Sequence, residues 1–310
     1  SEAPITQECL DGYGAMGALA TEDGLRQIEG KEQVDFRRAS RPFGQNCGFT
    51  LAESSQFLVL MDDELALQLG ADIHGAVPDV FINADGFKKS ISAPGPGNYL
   101  CMAKAVASAM QLVGEDGVRL RSFVHAHGSS TPANRVTESE LLDRVAASFG
   151  IADWPVAAVK SYVGHSLASA SADQLISALG SFKYQLIPGI KTIDAVADDV
   201  HRQHLRISQV DVPRTEQPLE VCFINSKGFG GNTASGAGAS FLLDRGAAGD
   251  VSEMGAPWSR LLEIHTAVYA AANAAYDSLG RKGWIMSHLS HSYHSGACLY
   301  FTFAFVFGDD

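Results

Sequence analysis

Positive charge is what this sequence is short of: 23 lysines and arginines stand against 35 aspartates and glutamates, a formal net charge of −12 over 310 residues. Nucleic-acid binders normally carry the opposite balance, so that class is excluded. Paired cysteines are missing too. The five present (Cys9, Cys47, Cys101, Cys222, Cys298) are scattered, odd in number and form no CxxC pair. That excludes a disulfide scaffold or zinc ribbon and points to a reduced, cytoplasmic setting. No membrane association is expected: the longest strongly apolar run, Cys298 to Phe307, is too short to span a bilayer as a helix. No secretory signal is visible at the N-terminus. An initiator methionine is also lacking, since the chain starts at Ser1, which reads as a processed chain or a fragment. What is present is a globular composition, 46% hydrophobic and 19% charged, long enough for a large core and two domains.

The most informative stretch is Val156 to Leu179. A short β-prone run, Val156 to Val159, leads into Lys160, a Ser-Tyr-Val-Gly turn and His165 at the start of a helix rich in Ala, Ser, Leu and Ile. The positive end of a helix dipole disfavours imidazolium, so His165 is expected to be neutral and to offer an N–H to a developing oxyanion. Two further apolar runs end in polar turns. One is Val124-His125-Ala126-His127-Gly128-Ser129-Ser130-Thr131-Pro132. The other is Asn225-Ser226-Lys227-Gly228-Phe229-Gly230-Gly231-Asn232, after Val221 to Ile224.

These three stretches, in this order, resemble the β-ketoacyl-acyl-carrier-protein synthases, the elongating condensing enzymes of the thiolase superfamily. The family pattern has a His-Gly-Thr-x-Thr-Pro loop, a Lys-Ser-x-x-Gly-His turn and a Gly-Phe-Gly-Gly loop. The resemblance covers about residues 1–244 and implies an α/β thiolase-like fold with an incomplete N-terminal half and a complete C-terminal half. It implies catalytic roles for His127, His165, Lys160 and Phe229, and contacts to the pantetheine arm or acyl pocket from Ser129, Thr131, Gly228 and Gly230. The implied reaction is decarboxylative Claisen condensation of a malonyl-carrier protein with an acyl thioester, in fatty acid or polyketide synthesis. The implied partner is acyl carrier protein, the implied assembly a homodimer, and no metal, flavin or nucleotide cofactor is called for. Of the two histidines in the first loop, the resemblance selects His127 over His125 because Gly128 follows it.

Departures from the pattern are also legible. The segment Glu2 to Thr6, with Tyr13 to Leu19, resembles the part of a condensing enzyme just after its nucleophilic cysteine. That nucleophile is therefore expected upstream of residue 1, and the five cysteines are read as structural. Glu138 matches a family glutamate, but Arg135 stands where an aspartate is usual. Gln174 stands where a glutamate is common, with Asp173 beside it. The alternative function is accordingly a non-catalytic condensing-enzyme-like protein that binds acyl carrier protein or a partner subunit.

The expected layout is 1–82 for the remainder of the N-terminal half, 83–245 for the C-terminal half, 246–257 for a linker and 258–310 for a helix-hairpin tail. Within it, Gln56 to Met61 reads as a buried apolar strand and Asp194 to His204 as surface. Lys88 and Lys89 read as a solvated pair that could meet an acidic carrier. The tail, with Ser287 to Tyr293 and Gly296 to Thr302, is similar to the C-terminal part of FAD-linked oxidases. His288, His291 and His294 would alternate faces of a strand, so no metal site is expected there.

Overall fold

The computed structural model describes residues 2–3, 5–85, 95–228, 232–239, 247–280, 283–292 and 295–306. Lys88, Lys89, Phe229, Gly230 and His294 lie outside the described residues. The helices are α1 (Gln7–Ala15), α2 (Glu22–Glu29), α3 (Asp63–Leu69), α4 (Pro96–Arg121), α5 (Pro132–Phe149), α6 (Lys160–Val163), α7 (Ala170–Tyr184) and α8 (Leu261–Ser278). The first strands are β1 (Glu2–Ala3), β2 (Ser54–Ser55), β3 (Ala76–Ala84), β4 (Ser122–His125), β5 (Trp154–Ala157), β6 (Leu186–Ile187) and β7 (Leu205–Ile207). Then follow β8 (Val212–Pro213), β9 (Val221–Lys227), β10 (Asn232–Ala239), β11 (Ala247–Pro257), β12 (Gly283–Ser292) and β13 (Gly296–Val306). Two compact units result, Ser1–Leu60 with Ala66–Leu243 and Met61–Leu65 with Asp244–Asp310. No helix among the described residues is long and apolar enough to cross a membrane.

The first unit is built on a mixed sheet of order β3-β10-β9-β4-β5-β7. Strands β9, β4, β5 and β7 run parallel, while β10 is antiparallel to both β9 and β3. The parallel strands read as almost unbroken apolar runs because both faces are covered. Val124, Val156, Val221 and Phe223 pack with Ala105, Ala109, Leu141 and Val145 of α4 and α5. Phe123, Ala157 and Cys222 pack with Ala178 of α7. Helix α5 starts where Thr131 accepts the Asn134 N–H at 3.3 Å and Pro132 presets the backbone, and it ends at left-handed Gly150.

Three expectations fail in this unit. Residues 56–60 form no strand, and Phe57 and Val59 are 90% and 82% exposed, because no described strand lies alongside to complete a ladder. The segment Asp194 to His204 is not simply surface: Ala197 and Val200 are buried, and Asp194 and Asp199 pair with arginines elsewhere in the chain. Helix α7 begins at Ala170 and not at His165: the short α6 ends at Val163, and a 3-10 turn, Leu167–Ser169, separates the histidine from α7.

In the second unit, residues 247–257 form an edge strand and not a linker: β13 lies between β11 and β12, antiparallel to both. Ladder bonds come from the backbone, so the small residues that make this stretch read as a linker do not prevent pairing. Its proline, Pro257, ends the edge strand, where a missing N–H is tolerated. Helix α8 covers one face through Leu261, Ile264, Val268 and Tyr269 against Ala297, Leu299 and Phe301.

Candidate active site

Strands β4 and β5 and the turn after α6 bring His127, Lys160 and His165 into one buried cluster; the three are 7%, 2% and 6% exposed. His127 lies two residues past β4, and its backbone N–H and that of Gly128 donate to the two Glu138 carboxylate oxygens at 2.7 and 2.9 Å. Asn225 and Asn134 side-chain amides donate to the same oxygens at 2.7 and 2.8 Å. A fully buried carboxylate thus fixes the loop from α5. Lys160 Nζ donates to the His127 carbonyl at 2.6 Å, and Ser40 Oγ donates to the Lys160 carbonyl at 2.6 Å. His165 is held by its backbone, donating to Thr50 O at 2.7 Å and accepting from Ala52 N at 3.1 Å. Gly164 allows that approach: its φ is +74°, and a Cβ there would sit 3.0 Å from both Ala52 Cβ and Thr50 O.

The two imidazoles meet edge to face, centroids 5.3 Å apart at 78°. His127 Nδ1 accepts the Lys227 backbone N–H at 3.3 Å, and His165 Nδ1 accepts the Leu167 N–H at 3.1 Å. A ring nitrogen that accepts an N–H bears no proton, so each neutral ring carries its proton on Nε2. Both rings are held neutral. Burial, then the Lys160 charge, pushes the His165 pKa well below its ordinary value; burial, Lys160, His165 and Lys227 do the same for His127. Burial also lowers Lys160 to about 8, against the opposing fields of Glu138 and Asp173. The result is two Nε2–H donors in a buried site close to the Lys160 ammonium, suited to holding an oxyanion.

Residues 74–194 match the family model described as the β-ketoacyl synthase, C-terminal domain. This chain carries a β-ketoacyl synthase C-terminal domain. It is 80% identical over 236 residues to the β-ketoacyl-[acyl-carrier-protein] synthase FabY of Pseudomonas aeruginosa, covering 76% of this chain and 37% of that protein. It is 30% identical over 238 residues to a 3-oxoacyl-[acyl-carrier-protein] synthase 2 of Vibrio cholerae, covering 76% of this chain and 53% of that protein. The crystal structure of the P. aeruginosa FabY ketosynthase superposes with a TM-score of 0.75 at 79% identity, covering 77% of this chain and 37% of that one. A type II polyketide ketosynthase solved with its acyl-carrier protein shares the fold at 22% identity, with a TM-score of 0.63 over 78% of this chain and 55% of that one. The first unit therefore has the thiolase-like fold. The chain spans 37% and 53% of the length of the two curated relatives named here. None of these matches supports the likeness of the tail to FAD-linked oxidases.

Within the ketosynthase unit, the other candidate residues fall as follows. Ser129 is buried and its hydroxyl lies 3.1 Å from that of Thr131, which also caps α5. Gly228 is exposed. His125 is fully buried, with neither ring nitrogen hydrogen-bonded, and burial followed by the Lys160 charge lowers its pKa to about 3. Arg135 makes a bidentate pair with Asp199, both bonds 2.8 Å, and donates to Asn46 Oδ1 at 3.1 Å. It has its own partner in place of the pairing a family aspartate would make. Asp173 is bonded by Ser166 and Gln56. Cys101 and Cys222 are fully buried, and burial pushes the Cys222 thiol well above its ordinary value, the opposite of what a nucleophile needs.

Sequence reasoning matched Glu138 to the family without placing it in the site, and it missed the Lys227 and Leu167 amides altogether. The last two act through the backbone, so no residue type marks them.

Proposed function

We propose that this chain supplies the histidine-lysine half-site of a β-ketoacyl-acyl-carrier-protein synthase, acting on malonyl-carrier protein in fatty acid or polyketide synthesis. The single observation that carries this reading is the pair of neutral imidazoles, each with Nδ1 occupied by a backbone N–H and Nε2–H left as a donor. On decarboxylation the bond between the malonyl α-carbon and its carboxylate breaks, CO2 leaves, and the electron pair moves into the thioester carbonyl as an enolate. His127 and His165 hold that enolate oxygen, stabilising charge that appears only in the reaction. Condensation follows when the enolate carbon attacks an acyl thioester and expels its thiolate. Burial, and after it the Lys160 charge, keeps both rings neutral, and Lys160 anchors the His127 loop.

In this reading Ser129, Thr131, Gly228 and Gly230 are the residues for the pantetheine arm or acyl pocket and Phe229 is a catalytic one, and the family homodimer and a cytoplasmic location go with it. The decarboxylation step needs no thiol from this chain. The test supplies acyl- and malonyl-carrier protein and follows CO2 and ketoacyl product separately by mass spectrometry. CO2 without ketoacyl product, abolished by His127→Ala, is the expected result. Product that also depends on His127 would mean a cysteine here serves as nucleophile. Neither CO2 nor product would favour the non-catalytic, carrier-binding alternative.

A further inference from the structure

The ladder between β4 and β9 ends at His125 and Ile224, yet His127 and its Nδ1 partner Lys227 lie beyond that point. Something else must hold the two strand ends in register. On the α5 face Glu138 does so, accepting from His127 N and from Asn225 Nδ2. On the opposite face the side chain of Gln174, on α7 and fully buried, donates through Nε2 to three carbonyls. These are His125 O at 3.0 Å and Ala126 O at 2.8 Å on one strand end, and Asn225 O at 3.0 Å on the other. An amide has two hydrogens, so one of them is shared between acceptors. Its Oε1 is buried without a partner, so the whole hydrogen-bonding use of this side chain is as a donor to the strand ends.

We propose that Gln174 is a positioning residue for His127, clamping the ends of β4 and β9 so that the Lys227 N–H meets His127 Nδ1. A glutamate of the same shape has no hydrogen to give as a carboxylate and only one when protonated, so it could not donate to both strand ends at once as the amide does. What the clamp does for the reaction rests on the condensing-enzyme reading. The clamp itself does not, so it is tested without activity.

The experiment compares wild type with Gln174→Glu and Gln174→Met, both near the original volume. Amide hydrogen exchange is read at residues 126–128 and 225–227, and the His127 imidazole nitrogens are read by 15N NMR. We expect exchange at His127 and Lys227 to rise at least tenfold in both variants, and the Nδ1 resonance of His127 to lose its hydrogen-bonded shift. Far-ultraviolet circular dichroism should stay unchanged. Where decarboxylation is measurable, kcat falls and KM holds. Unchanged exchange and an unchanged His127 spectrum in folded variants would overturn the proposal. Should either variant fail to fold, the wild-type Gln174 side-chain amide decides: strong protection from exchange supports the clamp, and exchange at the free-amide rate overturns it. An inactive wild type with a protected Gln174 amide would sink the functional reading and leave the clamp standing.

Discussion

Three buried neutral histidines make the ketosynthase unit sensitive to mild acid. His125, His127 and His165 all have pKa values lowered from an ordinary 6.5, first by burial and then by the Lys160 charge. In the unfolded chain each takes up a proton as pH falls through 6.5, while the folded state does not. The folded state thus binds fewer protons below that pH, and stability falls as pH falls. At pH 5.5 the loss is about 1.4 kcal/mol for each histidine and about 4 kcal/mol for the three, against a total domain stability of about 5–15 kcal/mol. Asp194 and Asp199, held below the usual carboxylate range by bonds from Arg38 and Arg135, lose their contribution only at still lower pH. The assay is urea unfolding at pH 7.5 and 5.5 followed by Trp154 fluorescence, with Trp258 and Trp284 replaced by Phe. That isolates one unit, since a single unfolding free energy is undefined for two. His125→Leu should reduce the slope by about a third. A stability that stays flat between the two pH values, or a slope untouched by His125→Leu, would refute the reasoning.

Lys160 should titrate near 8 in a side-chain NMR experiment, and decarboxylation should decline above that pH as the ammonium is lost. Its folded pKa lies below the unfolded value, so the cost of burying its charge disappears as pH rises from 8 toward 10.5, adding about 3 kcal/mol of stability at the upper end. Gly164→Ala would force a left-handed φ and two 3.0 Å contacts on a side chain. It should cost roughly 1–3 kcal/mol in the urea assay and displace the His165 ring. Arg135→Ala leaves Asn46 Oδ1 without this donor and Asp199 unpaired. Because Asp199 is half exposed, a double-mutant cycle with Asp199→Ala should give a coupling of only about 1 kcal/mol.

The candidate site was legible in the sequence wherever a side-chain type marks it. His127, Lys160 and His165 stand at strand ends and turns that apolar runs and glycines mark, and the structure brings those three together. What was not legible acts through backbone or through register. The N–H of Lys227 reaches a ring 100 residues earlier in the chain, and any residue but proline could supply it. Residues 247–257 pair because β13 offers an edge, not because their side chains favour a strand. The apolar run after Gln56 fails the other way: its composition is that of a buried strand, but no described strand pairs with it. Composition reports what a segment can do once a partner is present, and it does not report the partner.

The neutral state of His165 has a different cause in the structure from the one its sequence pattern suggests. The sequence pattern attributes it to a helix dipole, yet α7 starts five residues later and the histidine sits after a turn and before a 3-10 segment. Burial and the Lys160 ammonium are what disfavour the imidazolium. The distinction has consequences, because a helix dipole is insensitive to pH whereas Lys160 releases its proton near 8. Above that pH the rings stay neutral, since burial alone opposes their protonation, but the charge of the lysine that bonds the His127 carbonyl is lost. Alkaline loss of activity would then report the lysine and not the histidines, and Lys160→Met should remove that limb while His127 and His165 keep their Nε2–H donors.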